Sequence, residues 1–135
     1  MIALLVDASL DGHAGLIRAR LRVDPWREFA DALQIQFVYF KDIGLERMSP
    51  DDAVWWLCQA RGYYLLTANR NRESPDSLEA TIRREGTPDS LPVFTFADAE
   101  RLYRDTAYLD KVIEKLLDYL LNLENLRGTG RLYLP

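Results

Sequence analysis

Four short apolar runs, at residues 2–6, 35–40, 63–67 and 92–96, constrain this chain more than any other feature of its sequence. Each is rich in β-branched and aromatic side chains, and each is nearly continuous rather than alternating. Alternation marks a strand with one wet face, whereas a continuous run marks a strand covered on both. Strands of that kind need helices above and below them.

The segments between the runs supply those helices. Residues 9–22 carry Leu10, Ala14, Ile17 and Leu21 at helical spacing. After a break, Asp24-Pro25 offers an N-cap and a first-turn proline, and Trp26, Phe29, Ala30 and Leu33 then mark one helical face. Ser49-Pro50-Asp51-Asp52 predicts the start of a third helix, capped by Ser49, that runs to about Ala60 and is apolar on several sides. A second Ser-Pro-Asp, at 74–76, opens a helix to about Arg84. A last helix over 98–123 places Leu109, Ile113, Leu116, Leu120 and Leu123 on one stripe, which suits core packing, while Leu117 and Leu121 widen it enough to leave room for a homodimer contact. Residues 131–134 read as a short edge strand ended by Pro135.

The order βααβαβαβα implies one domain over residues 1–135, a three-layer α/β/α sandwich around a mostly parallel sheet of four or five strands. A length of 135 residues is sufficient for such a core. No apolar run approaches the ~20 residues of a membrane span, and the amino terminus lacks the basic stretch of a signal peptide. One cysteine, Cys58, excludes an internal disulfide, and one histidine, His13, leaves nothing for a His-paired nucleophile. A cytoplasmic setting is the expectation. His13 reads as a surface or capping residue, and Cys58 as packing.

Functional crevices of open parallel sheets lie beyond the carboxyl ends of the strands. There the first strand delivers Asp7, the third delivers Thr67-Ala68-Asn69-Arg70-Asn71, and Asp51, Asp52 and Asp76 begin neighbouring helices. Carboxylates held close raise each other's pKa or require a cation. Oxygen-only ligands suit a hard ion, Mg²⁺ or Mn²⁺, and a pair of such ions clamps a phosphodiester and activates water. Each acid also has a plainer role: Asp7 as a turn or cap, Asp52 and Asp76 as helix-start acids.

Leu5-Val6-Asp7, Ser49-Pro50-Asp51-Asp52-Ala53-Val54-Trp55 and the stretch from Arg61 through Tyr63-Tyr64-Leu65-Leu66-Thr67 to Asn71 together resemble a PIN-like domain, the fold of VapC-type toxins and related small bacterial nucleases. The resemblance implies a Mg²⁺- or Mn²⁺-dependent endoribonuclease that meets RNA transiently, with an antitoxin-like protein as partner. Asp7 matches the family's first metal-binding acid, and Asp52 best matches the acid at the start of the middle helix, with Asp51 the neighbouring candidate. Asn69 and Asn71 fall where relatives often carry aspartates. An amide ligates or orients water but brings no charge, so the site is less negative, and Asp76 is placed to replace a lost acid. Arg70 and Arg72 are the candidates for phosphate contact. The same two asparagines equally suit a PIN-like domain that has lost catalysis and serves as a binding or assembly module.

The net charge of −4 does not argue against RNA once it is located. Residues 1–72 hold nine basic and nine acidic side chains, and residues 73–135 hold eight and twelve, so the excess belongs to the last helix and its approach. Fourteen arginines against three lysines also suit phosphate contacts.

Overall fold

The computed structural model describes residues 1–70 and 74–135. Five strands, β1 (Ile2–Val6), β2 (Ile35–Tyr39), β3 (Tyr63–Thr67), β4 (Val93–Phe96) and β5 (Arg131–Leu134), form one sheet in the order β2-β1-β3-β4-β5, every pair parallel. The tail strand closes one edge beside β4, with Val93 opposite Arg131 and Phe96 opposite Leu134.

Successive residues of a strand point to opposite faces, and the core divides accordingly. Leu4, Val6, Leu66 and Phe94 pack with Ala14, Ile17, Val112, Ile113 and Leu116 on one side. Leu5, Leu65 and Val93 pack with Val54, Trp55, Cys58 and Leu78 on the other. The first side is covered by α1 (Asp11–Arg20), α2 (Arg27–Leu33) and α5 (Thr106–Leu121), the second by α3 (Asp51–Arg61) and α4 (Leu78–Glu85). A short α6 (Leu123–Leu126) leads into β5. Together these make the three-layer α/β/α sandwich expected from the continuous apolar runs.

Helix starts differ from expectation in four places. Ser49 does not cap α3: its hydroxyl donates to the Glu46 carbonyl at 2.6 Å, and Pro50 occupies the cap position. Asp24 does not cap α2, which begins at Arg27 after Trp26. Ser74-Pro75-Asp76 forms a turn, and it is Ser77, 2% exposed, that accepts from the Ala80 amide at 3.1 Å and starts α4. The stretch 98–123 is interrupted because it contains two capping aspartates. Asp98 starts a 3₁₀ turn over Ala99–Tyr103, and Asp105 accepts from the Tyr108 amide at 3.0 Å and restarts the chain as α5.

The leucine stripe of α5 is core, with Leu109, Ile113, Leu116 and Leu120 buried, while Leu121 stays 59% exposed. Of the adjacent tryptophans, Trp55 is buried and Trp56 is half exposed, the two rings meeting edge to face. Gly62, at φ +73°, ends α3 in the left-handed region and lets the chain reverse into β3.

Candidate active site

The strand order 2-1-3-4-5 reverses direction between β1 and β3, and crevices of doubly wound sheets open at that switch point. The ladder between these strands continues one residue beyond β1, where the Asp7 amide donates to the Leu66 carbonyl at 3.0 Å. That sets Asp7 beside Thr67, whose hydroxyl donates to Asp7 Oδ2 at 2.8 Å. The same hydroxyl accepts from the Asn69 amide at 3.0 Å, folding the chain after β3 back over the crevice.

Asp51, in the first turn of α3, completes the arrangement from the other side. Its Oδ2 accepts from Asn69 Nδ2 at 2.9 Å and from the Leu78 amide, in the first turn of α4, at 3.2 Å. Asp7, Asp51, Thr67 and Asn69 thus line one cavity of about 330 Å³, with Ser9, Arg47, Met48 and Ser49 at its mouth and Phe40, Val54, Leu65 and Leu78 behind. Arg47 donates to the Ala8 carbonyl at 3.2 Å, which brings a guanidinium to the same opening.

Of the neighbouring acids, Asp51 lines the cavity. The Asp52 carboxylate accepts from the adjacent Ala53 amide at 2.8 Å and is not among the lining residues. Asp76 is exposed in the turn before α4, where its amide donates to Ser74 Oγ, and it does not line the cavity either. Arg70 is exposed and borders a second cavity of about 360 Å³, shared with Ser9, His13, Phe96, Asp98 and Glu100. Asn71 and Arg72 lie outside the described residues.

His13 is neither a surface residue nor a cap. Its side chain is 12% exposed, Nε2 lies 2.9 Å from Glu100 Oε1, and the ring meets Tyr103 edge-on.

One contributor escaped sequence reasoning. Arg131, the first residue of β5, has a side chain only 6% exposed. Its Nη1 donates to the Asn69 carbonyl at 2.7 Å and to Thr95 Oγ1 at 2.8 Å, and its Nε pairs with Glu79 at 3.4 Å. Both donors to Asp51 are thereby tied to one guanidinium, Asn69 through its own carbonyl and Leu78 through its neighbour Glu79. A cation opening an otherwise apolar strand was the signal for it.

The donor set would suit a hard cation that takes few of its ligands from the protein. Asp51 Oδ1 accepts no hydrogen bond among the described residues, and Asp7 Oδ1 has only the Ser9 amide at 3.5 Å. Among the described residues no group of three or more His, Cys, Asp and Glu converges. Two carboxylates suit one Mg²⁺ or Mn²⁺ that keeps most of its water, which is how Mg²⁺ is commonly held. Comparison of the chain with protein-family models, with curated proteins and with solved structures found no match in any of the three.

Proposed function

We propose that the chain is a Mg²⁺- or Mn²⁺-dependent endoribonuclease of PIN-like type, with its centre at the carboxyl ends of β1 and β3. The observation that supports this reading is the convergence of Asp7 and Asp51, from two different elements, on one cavity at the switch point of the sheet. Each carboxylate is fixed by hydrogen bonds through Oδ2, so that Asp51 Oδ1, and Asp7 Oδ1 beyond its long bond from the Ser9 amide, would be the oxygens to hold the ion. Such an ion, when bound, lowers the pKa of a water ligand and offsets charge on the phosphodiester. Thr67 and Asn69 hold the two carboxylates in place, and Arg47 at the cavity mouth is the group on hand for a phosphate oxygen.

One observation favours a second reading, a PIN-like domain that binds without cleaving. Asn69 uses its carboxamide to donate to Asp51, so half of that carboxylate is satisfied without a cation. Incubation of the chain with single-stranded RNA separates the two. Cleavage that requires Mg²⁺ or Mn²⁺, stops with chelator and is lost in Asp7→Asn and Asp51→Asn supports the nuclease. RNA that is retained intact by the wild-type chain supports the binding module, and cleavage that persists in chelator removes the metal from the reaction.

A further inference from the structure

Helix α5 turns Leu109, Val112, Ile113, Leu116 and Leu120 inward, which leaves Lys111, Glu114, Lys115 and Asp118 exposed on its outer face. Beside that face, Phe29 of α2 and Leu121 stay 53% and 59% exposed. With Trp26 and Leu117 they form the apolar floor of a groove of about 520 Å³, and the four charges form its rim. Apolar surface gathered in a groove with a polar rim is characteristic of an interaction surface.

The order of the charges specifies the occupant. Along α5 they run positive, negative, positive, negative at positions 111, 114, 115 and 118. A two-fold axis across the helix between Glu114 and Lys115 sets Lys111 of one copy opposite Asp118 of the other, and Glu114 opposite Lys115, so that every charge meets its opposite. A parallel pairing sets each charge against its own kind. An antiparallel pairing shifted by one turn matches only half of them. The axis also falls near the middle of α5 (Thr106–Leu121), so the whole helix, about 24 Å long at 1.5 Å per residue, is available to the contact. Self-complementarity about such an axis is the signature of an isologous dimer.

We propose that this face is where two copies of the chain associate, their α5 helices antiparallel. The apolar floor supplies the attraction and the charges fix orientation and register. Lys115 and Asp118 already approach within 3.8 Å on their own helix while staying 45% and 63% exposed, so both have surface left for the second copy.

Sedimentation equilibrium across micromolar concentrations tests this with three chains. The wild type is expected to reach twice its 15.6 kDa mass. Lys111→Glu/Lys115→Glu and Glu114→Lys/Asp118→Lys are each expected to stay monomeric, since every cross-pair in them becomes repulsive. Mixing the two variants is expected to restore a dimer that contains one of each. All four positions are exposed, and circular dichroism checks that both variants fold. A wild type that stays monomeric, variants that still dimerise, or a mixture that does not pair would each overturn the proposal. Carbodiimide coupling of the wild type gives an independent readout: a Lys111–Asp118 cross-link confined to the dimer supports the register, and a dimer without it overturns the register.

Discussion

The hydroxyl of Thr67 joins the two halves of the candidate site. It is buried at 1% exposure, donates to Asp7 and accepts from the Asn69 amide. Thr67→Val keeps the shape and removes both bonds, so we expect a loss of about 2 kcal/mol in urea unfolding, within the range for stripping partners from buried polar groups. Arg131 carries more. Arg131→Met removes the more buried of the two cations beside Glu79, leaving it only the exposed Arg83 at 3.9 Å, and strips the Asn69 carbonyl and Thr95 of a donor, and breaking a buried ion pair of this kind costs about 3 kcal/mol. Arg131→Lys retains the charge but not the fork, so an intermediate loss is expected, and equal losses in the two variants would show that the fork and not the charge matters. At Cys58 the consequence is chemical. Burial pushes its thiol up to about 12, so the reactive thiolate is absent at neutral pH, and alkylation should occur only as denaturant unfolds the chain.

Between elements, α1, α2 and α5 are joined by one carboxylate. Arg20 donates to Asp110 at 2.8 and 3.0 Å and the Trp26 indole adds a bond at 3.4 Å. The Arg20 hydrogen bond is the main cause holding the Asp110 carboxyl below the ordinary carboxylate range. A depressed folded-state pKa means stability that is complete above the unfolded value and lost as pH falls through the folded one. Thermal unfolding of the wild type and Asp110→Asn should therefore differ most near neutrality and converge below about pH 4. A gap unchanged at acid pH would show that the carboxylate's charge is irrelevant. This junction was not legible in the sequence, because Arg20 and Asp110 are far apart in it and nothing local marks the pair. The strands were legible because burial on both faces writes itself as a continuous apolar run. Helix starts were read less well. Ser49 and Ser74 each precede Pro-Asp, yet Ser49 bonds backward to Glu46 and Ser74 holds only a turn. Asp51 and Asp52 could not be separated by spacing alone. Which of them turns to the crevice depends on how α3 lies against the sheet, with Val54, Trp55 and Cys58 inward.

At the scale of the molecule, the site follows from topology. The connection from β1 leads to β2 on one side, β3 lies on the other, and the opening between them receives Asp7 from a strand end and Asp51 from a helix start. Asp7 is on the sheet and Asp51 on the layer formed by α3 and α4, so a cation held by both would cross-link two layers of the fold. A ligand that binds only the folded chain stabilises it by about 2.7 kcal/mol at a hundred times its dissociation constant. For a chain of 135 residues that corresponds to a rise of about 10 °C in the unfolding temperature. Differential scanning calorimetry with Mn²⁺ in excess should show such a rise, and chelator should reverse it. Asp7→Asn and Asp51→Asn should each fold and lose the shift, whereas Asp52→Asn should keep it, since that carboxylate is bonded to its own helix start outside the cavity. A shift that survives in Asp51→Asn and disappears in Asp52→Asn would exchange the two ligands. No shift in the wild type would show that the two carboxylates hold each other in place through Thr67 and Asn69 with no ion between them.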